Sequence, residues 1–445
     1  MDDAAFLDLG PGEETPRAEA TQAPRIGPKR MRYAVRDQVE FQQCSLEELL
    51  PEDHEARIVW SYVCGLDLSD LIGGIQAVED GPGQAPADPR ILMALWLYAT
   101  LRGVGSAREL NRLCQYHAAY RWICGGVSMN YHTLSDFRTQ HLDLLDRLLT
   151  EGVASLMTEG LVTLDRVAQD GMKVRASAGA ASFRRQPTLE EALAEAEQQV
   201  TKLRQELEAD PAAQKTRQQT ARKRAAEERA VRIKAALDQL PKIAESKKPK
   251  DREKARASTT DADARVMKMG DGGFRPAFNV QLATATDSQI ITGVDVTNSG
   301  GDQGQLAPMV EQHQQRYEQV PNEALVDGGF TKKEDIEEVE QGGTTVYAPV
   351  QKSKDPERDA HTPRSDDTPA VAQWRQRMAT DEAKAIYRER ASTAECVNAL
   401  ARNRGLQRFL VRGLQKVKAV ALWYALVHNL MRAVTLRTAA AQTVV

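Results

Sequence analysis

From about Val39 to Thr150, apolar residues return every three or four positions, the period of helices with one buried face. Ser45 with Glu48 and Ser106 with Glu109 are spaced as capping boxes. In "DPRILMALWLYATL", Asp88 is placed as a helix N-cap with Pro89 in the first turn. "HTLSDFRTQHLDLLDRLL" predicts a further helix starting near Thr133. At Leu161 the period changes, and "LVTLDRVAQDGMKVRA" predicts an apolar strand that ends on Asp170. Helical spacing returns at Pro187 and Thr188, with Glu191 placed to complete a capping box. Leu189, Leu193, Ala196, Val200, Leu203 and Leu207 then form a narrow heptad seam. Asp210 and Pro211 break the seam, and a second charged helix carries Ile233, Leu237 and Leu240 on one stripe as far as Pro241. Together they predict an antiparallel helical hairpin, followed by an exposed linker, "ESKKPKDREKARAS".

Beyond the linker, Phe278, Val280 and Leu282 alternate with polar residues, as do Ile290, Val294 and Val296 after a "TDS" turn. Alternation on both sides of a turn predicts a β-hairpin. A helix over "QGQLAPMVEQHQQRYEQV", a strand "EALVD" ending on Asp327, a helix "KKEDIEEVEQ" and a strand "TTVYAPV" follow. Lys352 to Thr368 is polar and predicts a loop; helices fill the stretch from Ala370 to Ala439. Three antiparallel strands followed by alternating helices and strands imply an α/β fold, a mixed sheet covered on both faces. Glycines between the short N-terminal helices leave room for a helix-turn-helix there.

Composition adds little until it is localised. The 445 residues are 41% hydrophobic with a net charge of −4, enough apolar content for a core and no global sign of a polyanion partner. Between Lys384 and Arg437, however, 11 Lys or Arg face only Glu389 and Glu395, which points to a polyanion or to a solvated basic helix face. The first 20 residues hold six acids against Arg17, and residues 1–30 predict a flexible tail. Five scattered cysteines fit a reducing cytoplasm. Cys114, His117 and Cys124 lack an evident fourth metal ligand. No apolar run appears long enough to span a membrane, and the N-terminus lacks a signal-peptide layout.

A buried strand tipped with a carboxylate needs a cation or strong donors to offset desolvation. If the strands of Asp170 and Asp327 lie side by side, both carboxylates enter one cleft and repel each other, and a hard divalent cation relieves that. Mg²⁺ with a few carboxylates suits a phosphate-ester substrate. Gly328 and Gly329 in "DGGF" leave the backbone open to a ligand. Glu395, seven residues from both Arg388 and Arg402, is the candidate third acid, on a helix whose Ala391 and Ala399 would allow close approach to the sheet.

Several of these segments resemble the DDE transposases of bacterial insertion sequences, in the group with a ribonuclease-H-like catalytic domain and a Tyr-Arg-Glu-Lys signature. "AQDGMKVRASAG" resembles the first-aspartate motif and "ALVDGGF" the second. "STTDADARVMKMGDGGFRPAFNVQLATATDSQIITGVDVTNSGGDQGQL" is similar to the second and third strands of that domain with their flanks, and "YRERASTAECVNALARNRGLQRFLVRGLQKVKA" to the signature helix. "DPRILMALWLYATLRGVGSARELNRLCQYHAAYRWICGG" and "HTLSDFR" resemble the helical N-terminal domain. The resemblance implies, after the tail over 1–30, a DNA-binding helical domain over 31–155 that reads terminal inverted repeats. It also implies a ribonuclease-H-like domain over 156–186 and 257–440, with the hairpin inserted at 187–256.

By position, Asp170, Asp327 and Glu395 would be the catalytic acids, holding two Mg²⁺ ions that Mn²⁺ can replace. Tyr387, Arg390 and Arg402 would fill the remaining signature places, Arg402 standing where lysine is more usual. Arg404, Arg408, Arg412, Lys416 and Lys418 would hold the DNA backbone. The implied activity is cleavage of insertion-sequence ends and joining of their 3′-hydroxyls to target DNA by a homodimer on DNA, in the cytoplasm at the nucleoid. The rival readings are a metal-dependent nuclease of the same fold and a catalytically inactive DNA-binding protein derived from a transposase.

Overall fold

The computed structural model describes residues 45–78, 85–209, 217–352 and 359–443. The tail over 1–30 and the break at Asp210 and Pro211 lie outside them. Among the described residues, a short 3-10 turn (Glu47–Leu49) is followed by seven α-helices: α1 (Glu55–Cys64), α2 (Ser69–Gly73), α3 (Pro89–Leu101), α4 (Ala107–Tyr116), α5 (Ala118–Cys124), α6 (Tyr131–Gln140) and α7 (Leu142–Thr158). The expected caps form. Ser45 and Glu48 exchange bonds at 3.0 and 3.2 Å, and Asp88 accepts from the Arg90 N–H at 2.8 Å. The Ser106 hydroxyl accepts from the Glu109 N–H at 3.3 Å. The single helix expected from Thr133 is two helices, α6 and α7, divided at His141, whose backbone leaves the helical region (φ −113°, ψ 47°).

The sheet is built from β1 (Arg166–Arg175), β4 (Arg265–Lys268), β5 (Phe274–Ala285), β6 (Ile291–Thr297), β7 (Glu323–Leu325) and β8 (Thr345–Tyr347). β1 is central, antiparallel to β5 and parallel to β7. β8 lies parallel to β7, and β4 and β6 share the far edge of β5. β4 was not foreseen; it has only four residues and no clear alternation. A two-residue ribbon, β2 (Phe183–Arg184) with β3 (Ala257–Ser258), stands at the base of the inserted hairpin. That hairpin is α8 (Gln186–Ala209) and α9 (Arg217–Glu245). Leu189 near the start of α8 clusters with Leu240 and Ile243 near the end of α9, and Arg204 pairs with Glu227, so the two run antiparallel. Two expected boundaries shift. α8 starts at Gln186, leaving Thr188 inside the helix, and α9 runs on through Pro241, which forgoes the bond to the Leu237 carbonyl one turn before the helix ends.

The chain closes with α10 (Leu306–Tyr317), α11 (Lys333–Gln341), α12 (Pro369–Ala379), α13 (Asp381–Arg390), α14 (Cys396–Asn403) and α15 (Leu414–Thr443). The mixed sheet is covered on both faces, as the strand pattern predicted. Met172, Val280 and Leu282 pack with Val397 of α14 and the apolar side chains of α15, while Val167 and Ala283 on the opposite face pack on Met309 of α10. α15 corrects the sequence reading. It is long and apolar enough to cross a membrane, yet 72% of its apolar stretch is buried inside the protein. It carries core residues all round because it lies between the sheet and the N-terminal helices α3, α6 and α7. Trp423 ties this junction by donating from Nε1 to the Arg138 carbonyl at 3.0 Å.

Candidate active site

Asp170 lies in the middle of β1, not at its end. The strand continues through Gly171 to Arg175 because β5 supplies an antiparallel partner along that whole length. The Asp170 carboxylate is held from two sides: Gly171 N–H donates to Oδ1 at 3.0 Å, and Asn398 Nδ2 on α14 donates to Oδ2 at 2.8 Å. Burial pushes its pKa above the ordinary carboxylate range; Arg390 pulls against that, while Asp327 and Asp302 push further. Asp327 follows β7 by two residues, and β7 is the parallel neighbour of β1. Its Oδ1 accepts from Gly329 N–H at 2.7 Å, an Asx turn that fixes the side chain as the chain leaves the sheet.

Glu395 closes a five-residue π turn, Ala391–Glu395, between α13 and α14. The Ser392 and Thr393 hydroxyls both bond to the Glu389 carbonyl, at 2.9 and 3.0 Å, which takes that acceptor from the ordinary helical ladder. A π turn brings residues five apart onto one face. Arg390 and Glu395 are five apart, and Arg390 Nη1 lies 3.7 Å from Glu395 Oε1. The turn also changes which residues meet the sheet: Thr393, Ala394, Val397 and Asn398 are buried, whereas Ala391 and Ala399, expected to make the close approach, are exposed. α13 is fastened to the sheet by Arg166, which pairs with Glu323 of β7 at 2.5 Å and Glu389 of α13 at 2.6 Å.

Arg390 is the hub. Its side chain is 9% exposed, and Nη2 lies 3.0 Å from Asp170 Oδ1 and 3.8 Å from Asp327 Oδ2. The three sequence-predicted acids thus face one guanidinium. Tyr387, one turn earlier, is half-buried beside them, and burial raises its phenol pKa against the pull of Arg390. Arg402, Arg408, Arg412 and Lys416 are exposed. Arg404 is partly buried, which lowers its pKa, and Lys418 pairs with Asp295 at 3.0 Å. These two are therefore less available to a phosphate than the other four.

Asp302, in "NSGGD" before α10, was missed. Its Oδ1 accepts from Asn279 Nδ2 and Gln281 Nε2, both at 2.7 Å. It presses so close to β1 that a Cβ on Gly171 would lie 2.1 Å from Oδ1; a Cβ on Gly329 would lie 3.6 Å from Oδ2. Asp302 therefore sits between the strand of Asp170 and the turn of Asp327. The signal was available: Asn279 and Gln281 are amides in a strand that turns out to be buried on both faces, and buried amides need partners.

The donor set suits a hard divalent cation. Every side chain offered is a carboxylate or amide oxygen, and Asn398 Oδ1 and Asn279 Oδ1 are buried without a hydrogen-bond partner. Asp327 and Glu395, 41% and 65% exposed, meet Arg390 only beyond hydrogen-bond distance, leaving lone pairs open. Among the described residues, no three of His, Cys, Asp or Glu stand close enough to hold one ion, and the charge at the centre is the Arg390 guanidinium.

Two family models match the chain: residues 44–140 match a transposase domain (DUF772), and residues 351–434 match a transposase DDE domain. Glu395 and the signature helix fall inside the second match; Asp170 and Asp327 fall outside both. The two matches support a DDE-type insertion-sequence transposase, the family that the sequence motifs resemble. No curated protein and no solved structure matches the chain.

Proposed function

We propose that this transposase cuts insertion-sequence ends and joins them to target DNA, on a ribonuclease-H-like domain whose acids are Asp170, Asp327 and Glu395. The observation that carries this reading is the meeting of three carboxylates, remote in sequence, at one buried guanidinium. Cleavage breaks a phosphodiester P–O bond as water forms a new one, leaving a 3′-hydroxyl; joining repeats the exchange with that hydroxyl as nucleophile. Asp170, Asp327 and Glu395 are the residues that would hold two Mg²⁺ ions, in place of the Arg390 contact that they share here, and the ions would supply the charge that such an in-line displacement needs. Asn398 and the Gly171 N–H fix the Asp170 carboxylate, and the Asx turn fixes that of Asp327, so both are set before substrate arrives. Arg390 keeps the acids together against mutual repulsion, and its planar fork suits the scissile phosphate. Exposed Arg402, Arg408, Arg412 and Lys416 would follow the flanking backbone.

The test is a strand-transfer assay with DNA carrying the element's own inverted repeats, in Mg²⁺ or Mn²⁺. Cleavage followed by joining is expected. Cleavage without joining would reassign the protein as a nuclease, and end binding without cleavage would make it an inactive derivative.

A further inference from the structure

The hairpin between β1 and β4 has no part in the acid cluster, yet its base is woven into the loop that follows the signature helix. Arg175, the last residue of β1, donates its N–H to the Gln407 carbonyl at 3.1 Å and accepts from the Phe409 N–H at 2.8 Å. Arg412 Nε donates to the Ser177 carbonyl at 3.3 Å. On the returning strand, Asp261 and Asp263 accept from the N–H groups of Gly413 and Leu414 at 3.2 and 2.9 Å. The β2–β3 ribbon sits between, with Arg184 opposite Ala257.

This weave gathers arginines from four separate stretches. Arg175, Arg184, Arg185, Arg256, Arg408 and Arg412 are all exposed, and among the described residues none has an ion-pair partner. Asp261 and Asp263 already accept backbone hydrogens, and burial of Asp261 raises its pKa. Just outside the ribbon, Lys247, Lys248 and Lys250 add exposed cations. In a chain of net charge −4, a cluster of unpaired guanidinium groups calls for an anionic partner with repeated charges.

We propose that the hairpin base and the Arg408–Arg412 loop form one continuous interface for the backbone of double-stranded DNA. Phe183 and Phe409, the aromatic residues of these segments, are buried and cannot stack on unpaired bases, which favours duplex over single-stranded nucleic acid. The inference rests on the transposase reading and goes beyond it, because it gives the inserted segment a DNA contact that the acids and the signature helix do not need.

The test uses the full chain and a fluorescent duplex of arbitrary sequence, titrated from about 50 to about 200 mM salt. R184Q/R185Q/R256Q should weaken binding at least tenfold and flatten the log K against log salt slope by about 2 to 3, at about 0.9 per lost phosphate contact. K248Q/K250Q should flatten it by up to about 2 and stands in if the triple variant does not fold. Wild-type affinity and slope in the folded variants, with wild-type protein still cutting element ends, would overturn this inference and leave the transposase reading intact. Wild-type protein that neither binds nor cuts would overturn both.

Discussion

Two ionic clusters lie within this fold, and they are built to different rules. Around Asp367 the contacts are close: Arg375 Nε at 2.7 Å, Lys333 Nζ at 2.8 Å and the Arg364 N–H at 2.9 Å, on a carboxylate with no side-chain exposure. Burial alone would raise its pKa, but these donors bring it down to about 2. Around Arg390 the balance is lost, with three carboxylates sharing one guanidinium and only Asp170 within hydrogen-bond distance. The first cluster is balanced, Arg375 and Lys333 against Asp367 and Asp366, and closes a loop against α12. The second lacks positive charge and opens to solvent at Asp327 and Glu395. A structural ion pair completes itself, whereas a site that awaits a charged reactant cannot.

Catalysis should show the largest difference. Asp170→Asn, Asp327→Asn or Glu395→Gln should each slow metal-dependent end cleavage by about three orders of magnitude or more, while Asp367→Asn, if folded, keeps it. A single-turnover rate within tenfold of wild type in any of the three would break the comparison. Stability should respond in the opposite sense. Asp367→Asn should cost roughly 3 kcal/mol in urea unfolding because it leaves Arg375 buried without its partner, and Asp327→Asn should stay within about 1 kcal/mol of wild type.

Acid titration of stability sharpens the contrast further. Asp367 has a depressed folded pKa, so its contribution is complete above its unfolded pKa and fades as pH falls through about 2, a loss of roughly 2 kcal/mol. Asp170 has a raised folded pKa, so acidification through that value relieves strain instead. Asp367→Asn should therefore remove an acid-labile component from the stability–pH curve, and Asp170→Asn should leave that component in place. The smallest effect is expected at Asp302→Asn. It keeps an acceptor for Asn279 and Gln281 but loses a charge beside the site, and a fall in cleavage rate of about tenfold is expected with an unchanged unfolding midpoint.

The order of strands and helices was legible because alternation and helical spacing are strong over β5, β6, α3 and α10. The two aspartates were legible as carboxylates at the end of apolar segments, although Asp170 proved to be mid-strand: no local pattern reveals that β5 extends its pairing to Arg175. The candidate role of Arg390 as the hub was hidden for a different reason. Ordinary helical geometry puts it away from Glu395, and only the π turn aligns the two. Asp302 escaped because glycine-flanked aspartates are common in turns, and its partners are 21 and 23 residues away.

The π turn has one more consequence. Ala391–Glu395 holds one residue more than a regular helix requires, and an α-helix advances about 100° per residue. Rewinding this turn to α-helix with all five residues kept would carry Glu395 about 140° round from Arg390, with every acid still encoded. The working arrangement of this site thus depends on a miscount in a helix, and a change that frees the Glu389 carbonyl from the Ser392 and Thr393 hydroxyls would be enough to undo it.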